Sequence, residues 1–330
     1  MSRSGRRAVL LLAALSLVTT ACTIKVDGTA LPSTGAGLAP KFKATDQVSA
    51  GDALGDLPSW NPCSVVDPAG LPKAWTADLD IPVAYEDCVM AVTTDKGVSA
   101  EVQVGYLSRS TYNLEDYPDG KRSGGITVVP VDKEDGSCTR DIVFADGIAL
   151  GVLSWPEDDT DVESVCEISD AVADQVIDSV IYGRATKLEL PENSVGEVDP
   201  CTLVTPEIAT LVPGMPGDVA ADPQLHRHSC WWEGPDGILL NIEFEIGYLP
   251  EGDSNKQVQG RRTAVSRFAD DSVNSLCVVD GEHVPYKNED KSDLVETVGI
   301  WVYLDQGQVE EACTAASAVA EAVWPKLPPL

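Results

Sequence analysis

The sequence predicts an α+β fold built twice, as two tandem two-layer domains. Each is an antiparallel sheet with an opening and a closing helix, stapled by two disulfides. Three observations predict it. Cysteines recur in matching order in the two halves: Cys63, Cys88, Cys138 and Cys166 answer to Cys201, Cys230, Cys277 and Cys313. Segments with a two-residue apolar period occupy the middle of each half, and each half closes on a stripe of helical period. Runs of strands followed by a helix, rather than strands and helices in alternation, point to α+β.

The chain begins with an address. Arg3, Arg6 and Arg7 precede an apolar run over residues 8–18, too short to span a bilayer and the right length for a signal peptide. The run ends in Val18-Thr19-Thr20-Ala21-Cys22, which resembles a bacterial lipobox, with Thr19 where an aliphatic residue is usual. Cleavage after Ala21 leaves either a lipidated or a free Cys22. Parity favours lipid: the chain has nine cysteines, an odd count for an exported protein, and assigning Cys22 to an acyl anchor leaves an even set. Residues 1–21 are thus read as signal peptide. Residues 22–57, rich in Ala, Gly, Pro, Ser and Thr, are read as lipidated cysteine and flexible tether.

The first domain is assigned to 58–186, a linker to 187–198 and the second domain to 199–330. Other anchors repeat in order, among them Gly105-Tyr106-Leu107 with Gly247-Tyr248-Leu249, and Asn61-Pro62-Cys63 with Asp199-Pro200-Cys201. In the second copy Thr205 is placed as N-cap and Pro206 as first helical residue, with Ile208, Leu211 and Val212 as the apolar stripe. Asp67 and Pro68 play those parts in the first, where Pro72 limits the helix to about one turn.

Hairpin strands follow. Ala100, Val102 and Val104 alternate with Ser99, Glu101 and Gln103; Leu240, Ile242, Phe244 and Ile246 alternate with Asn241, Glu243 and Glu245. Asp95-Lys96-Gly97 and Pro235-Asp236-Gly237 supply the turns. Further strands are predicted over 126–131, 139–144, 148–154, 276–279 and 297–304, and an intervening helix over 255–268. Val165, Ile168, Val172, Val176 and Val180 form one closing stripe; Val309, Ala312, Ala316, Ala320 and Val323 form the other. Thr160-Asp161-Val162-Glu163 reads as a capping box for the first of these helices.

Four cysteines allow three pairings per half. First with second and third with fourth is favoured, because each bond then ties a helix to the sheet. Zinc is not favoured: no pair has CxxC spacing and the chain is exported.

The start Asp199-Pro200-Cys201, with Leu203, Thr205, Cys230-Trp231-Trp232, Cys277 and Cys313, resembles a domain family of actinobacterial lipoproteins. The first half departs from it at Asn61 and lacks the tryptophans after Cys88. The family's layout is similar to the disulfide-stapled extracellular sensor domain of a mycobacterial Ser/Thr kinase, a cleft-bearing α+β fold. The resemblance implies a protein on the extracytoplasmic face of the cell membrane that binds or senses something, and it supplies no reaction.

Charge narrows the partners. Lys and Arg number 23 against 53 Asp and Glu, a net −30. Such a surface repels nucleic acid and anionic headgroups, so the expected membrane contact is the lipid anchor alone. A small envelope ligand or an envelope protein is the expected partner, and no cofactor or metal is expected.

Four motifs invite chemistry. Gly252-Asp253-Ser254 and Asp280-Gly281-Glu282-His283 resemble two blocks of a serine hydrolase family, but they lie too close together and are absent from the first half. His226-Arg227-His228, with Asp222 nearby, suggests metal ligands without an evident third member, and exposed loop histidines are the plainer reading. Glu157-Asp158-Asp159-Thr160-Asp161 lacks the glycine and terminal glutamate of a calcium loop. Trp231 and Trp232 must face opposite ways on a strand, one toward the core and one toward a contact surface. The resulting expectation is a non-enzymatic binding or sensor module; the alternatives are an accessory subunit of an envelope complex and a serine hydrolase.

Overall fold

A computed structural model describes residues 39–79, 85–131, 136–157, 162–248, 256–268, 275–286 and 294–330. Cys22, Ser254, Thr160 and most of the 157–161 acidic run lie outside the described residues.

The first half contains α1 (Ala50–Leu54), strands β1 (Thr76–Leu79), β2 (Asp87–Thr93), β3 (Ser99–Arg109), β4 (Thr127–Val131), β5 (Cys138–Val143) and β6 (Ile148–Pro156), and the closing helix α2 (Val162–Ile181). The second contains α3 (Pro206–Ala209), strands β7 (Ala221–Pro223), β8 (Ser229–Glu233), β9 (Leu239–Gly247), β10 (Lys256–Val258), β11 (Arg261–Phe268), β12 (Ser275–Pro285) and β13 (Val295–Leu304), and the closing helix α4 (Val309–Val323). The strand orders are β1-β2-β3-β6-β5-β4 and β7-β8-β9-β13-β12-β11-β10, antiparallel throughout. They match term by term, with β10 added at one edge.

Each sheet buries one face beneath its closing helix. Ala100, Val102 and Val104 meet Val165, Ile168 and Val172, while Leu240, Ile242 and Phe244 meet Ala312, Ala316 and Val319; all of these are buried. Small residues on α4 let that helix approach its sheet closely. The disulfides are Cys63–Cys88, Cys138–Cys166, Cys201–Cys230 and Cys277–Cys313. In each half the first bond ties the opening 3-10 turn to the sheet and the second ties the sheet to the closing helix.

Four expectations are corrected. Where a helix over 255–268 was expected, residues 256–268 form the β10–β11 hairpin: Gln259 and Gly260 take positive φ (50° and 82°), the two-residue turn that reverses a twisted strand pair. Thr263 and Val265 bury on its inner side. The tether does not run to residue 57. Val48, Ala50, Ala53 and Leu54 are buried in the first core, Lys41 N donates to Ile181 O (2.8 Å), and Val48 N donates to Gly124 O (2.8 Å). The opening helix α3 is one turn, and Leu211 is 40% exposed rather than part of its buried stripe. Residues 187–198 are no loose linker: Leu188 N donates to Ser59 O (2.8 Å), and Val195 is fully buried.

The halves interlock. Tyr85, from the first, is buried in the second half's core, and Leu225, from the second, packs against the first. The described residues of both halves belong to one compact unit.

Candidate functional site

A β-bulge between Gly105 and Leu107 brings the backbone of β3 onto residue 86. Tyr106 N donates to Glu86 O (3.1 Å), and a Cβ on Gly105 (φ 153°) would fall 2.0 Å from that oxygen. The approach therefore requires glycine. It presents Tyr85, Glu86 and Asp87 to the second half.

There the histidines receive them. His226 Nδ1 accepts from His228 N (3.1 Å), which assigns the ring as the Nε2–H tautomer, and Nε2 meets the Glu86 carboxylate. His228, 1% exposed, packs on Tyr85 with ring centroids 4.5 Å apart. Burial, and then His226, push the His228 pKa down to about 3. Both histidines are thus buried at the junction rather than exposed in a loop. Arg227 occupies φ 58° between them, and Asp222 lies apart on β7, paired with Trp231.

The linker is pinned at the same junction. Glu296, fully buried, accepts from Ser194 Oγ and from Val195 N (2.9 Å). His283 contacts Asn193 O (2.6 Å) and Arg261 Nη1 (2.5 Å), so both ring nitrogens are occupied and neither is left to activate a serine.

Beside these contacts the face of the second sheet opposite α4 carries acid. Cross-strand register sets out its rows. Trp301, Asn241 and Trp231 form one, Asp280, Gly299, Glu243 and Ser229 the next, and Glu282, Thr297 and Glu245 the third. A hydrogen-bonded chain orients part of it. Trp231 Nε1 donates to Ser229 Oγ (2.9 Å), Ser229 Oγ donates to Asn241 Oδ1 (2.9 Å), and Asn241 Nδ2 donates to Glu243 Oε2 (3.2 Å).

Several buried and half-buried acids of the described structure have donors. Glu282 pairs with Arg262 (2.7 Å), Asp67 with Arg184 (3.3 Å), Asp87 with Gln103, and Glu296 with Ser194 and Val195. Asp280 and Glu245 do not. The Asp280 carboxylate, in a residue 7% exposed, accepts no hydrogen bond from the described residues, and neither does that of Glu245. Burial raises Asp280 to about 7. Burial and then Glu86 raise Glu243 to about 7, and burial and then Glu243 raise Glu245 to about 8.

At the centre the Trp301 indole lies over Gly299. A Cβ there would fall 2.7 Å from Trp301 Nε1 and 3.1 Å from Asp280 Oδ1, so the close approach of these side chains needs glycine at this position.

Of the two tryptophans, Trp232 is core, and Trp231 is half-buried on this acidic face. Among the described residues no group of three or more His, Cys, Asp and Glu is placed to hold a metal ion. Two open grooves lie elsewhere. One of about 670 Å³ runs between residues 40–44 and α2, and one of about 410 Å³ between β11 and α4. The chain matches no protein-family model, no curated protein and no solved structure.

Proposed function

We propose that this is a lipid-anchored envelope protein whose fused halves form a non-enzymatic binding module, with its site on the acidic face beside the junction. The observation that supports it most is the gathering of Asp280, Glu243 and Glu245 on one sheet face, where neither buried Asp280 nor half-buried Glu245 accepts a hydrogen bond from the described residues. Strongly perturbed carboxyls gathered on one face mark binding sites more often than plain scaffold. The oxidising compartment that four disulfides require supports the exported part of the reading. Anchoring is tested by mass spectrometry of the mature N-terminus, where an unmodified Cys22 would contradict it. Binding is tested by thermal-shift screening of the full mature chain in detergent against envelope metabolites. At least one should raise the melting temperature, and the shift should vanish in Asp280→Asn.

A second reading, an accessory subunit of an envelope complex, is favoured by one observation. Tyr106 and Tyr248, equivalent residues of the two Gly-Tyr-Leu segments, are each 58% exposed. Tyrosines are enriched at protein interfaces. Loss of an in-cell crosslinked partner from the Tyr106→Ala, Tyr248→Ala double variant, with no ligand found in the screen, would favour it.

A further inference from the structure

We propose that Cys138–Cys166 is a redox-active disulfide, opened and closed by exchange with an external dithiol, whereas its counterpart Cys277–Cys313 is a permanent staple. The inference stands apart from the acidic face and adds a second activity to the chain.

Arg140 sets this bond apart. It lies two residues after Cys138 on β5 and is 9% exposed. Its Nε and Nη2 donate to the two carboxylate oxygens of Asp170, one turn beyond Cys166 on α2, with Nη2 at 3.2 Å. That fork leaves Nη1 aimed at the bond, where it donates to Cys138 Sγ (3.0 Å) and to Thr139 O (3.0 Å). A neutral sulfur accepts hydrogen bonds weakly, whereas a donor held against a thiolate favours the charged form. Thiols beside arginine ionise more readily than free cysteine. The fixed guanidinium therefore stabilises the reduced state of Cys138 more than the oxidised one.

The ion pair has a second effect. It bridges the same strand and helix as the bond, so α2 stays seated on β5 when the sulfurs part. Ser169 on α2 adds to this hold: its hydroxyl donates to Cys138 O (3.0 Å) and lies 2.8 Å from Ser154 Oγ.

The second half supplies the comparison. Cys277–Cys313 joins the equivalent strand and helix over a separation of 36 residues, against 28 for Cys138–Cys166. Burial is the same in both: Cys138 and Cys277 are 0% exposed, Cys166 and Cys313 5%. Val279 and Ser317 stand where the first half has Arg140 and Asp170. Arg267, which lines the groove beside Cys313, is paired with Glu310 (3.4 Å).

Burial also orders the exchange. Cys166 is the more exposed partner, so an external thiolate attacks its Sγ and forms a mixed disulfide. The Cys138–Cys166 bond breaks, and its electron pair leaves on Cys138 Sγ, against Arg140 Nη1; a leaving thiol that ionises readily leaves faster. The reagent's second thiol then loses its proton and attacks the reagent's own sulfur. Cys166 departs as a thiolate and takes up a proton. The external dithiol is oxidised to a disulfide, and the protein bond is reduced by two electrons. Run in reverse, the same steps close the bond and reduce an external disulfide.

The test is equilibration of the full mature chain in detergent against graded mixtures of reduced and oxidised dithiothreitol. Acid quenching, alkylation and peptide mass mapping then read each bond separately. The equilibrium constant for reducing Cys138–Cys166 should exceed that for Cys277–Cys313 at least tenfold, about 30 mV for a two-electron couple. Arg140→Gln should abolish that difference. Equal constants in the parent chain would overturn the proposal without recourse to any variant. So would a tenfold difference that survives in a folded Arg140→Gln chain. Thermal melts give the third outcome: loss of cooperative unfolding when Cys138–Cys166 alone is open would mark this bond as a staple and overturn the proposal as well.

Discussion

Glu243, Glu245 and Asp280 hold their protons late because each is withdrawn from water, with Glu86 adding to the effect at Glu243 and Glu243 adding to it at Glu245. The consequence for stability has a definite sign. Between the ordinary carboxyl range near 4 and the folded values of about 7 to 8, the folded state binds more protons than the unfolded state. Stability therefore falls as pH rises through that window. His228 acts from the other side. Its folded value of about 3 lies below its ordinary 6.5, so stability is lost as pH falls from 6.5 toward 3. The melting temperature should peak at mildly acidic pH. Thermal melts from pH 4 to 9 should show that peak, and Glu245→Gln should flatten the alkaline limb. A melting temperature that rises steadily to pH 9 would contradict the burial of these acids. The alternation of Asn241, Glu243 and Glu245 was legible as a polar strand face. Its acidity at the junction was not, because the groups that crowd it, Glu86 and Asp87, come from the other half.

The elements follow local chemistry closely. Period-two alternation located β3 and β9, and the helical stripes located α2 and α4, because each pattern describes one buried face. The reading failed where turn chemistry outweighed periodicity: Gln259-Gly260 makes residues 256–268 a hairpin, and Gln is not a residue that announces a positive φ. It also failed at Ser49-Ala50-Gly51, whose small residues resemble a tether in composition. Their helix is capped by the Ser49 hydroxyl on Asp52 N (3.1 Å), and its burial depends on Asp146 and Ile181 across the fold. The staples belong to this scale. The Cys277–Cys313 bond closes a 36-residue separation, so removing it as a double Cys→Ala variant should cost about 3–4 kcal/mol by constraint of the unfolded chain. Urea denaturation measures it; a loss below about 1 kcal/mol would mean that packing of α4 alone holds the helix.

At the scale of the whole molecule the two halves are one body. Tyr85 lies in the other half's core, Glu296 and His283 hold the intervening segment, and residues 41–56 close the first core from the N-terminal side. Sequence spacing revealed the duplication of layout but not the fusion, since a single aromatic crossing between cores leaves no periodic trace. Truncation to residue 58 should therefore lower the melting temperature by exposing the Val48 and Leu54 contacts of the first half. Tyr85→Ala should cost about 3 kcal/mol, as removal of a buried aromatic does elsewhere. It should loosen both halves together, read as a single broadened calorimetric transition.

The central claim is that the acidic face beside this junction is where a ligand sits. Hydrogen–deuterium exchange of the full mature chain, with and without a small-molecule extract of the cell envelope, tests it most directly. The account predicts added protection in β9, β12 and β13 around Gly299, lost in Asp280→Asn. Protection confined to the grooves beside α2 or α4, or to the exposed Tyr106 and Tyr248, would contradict it.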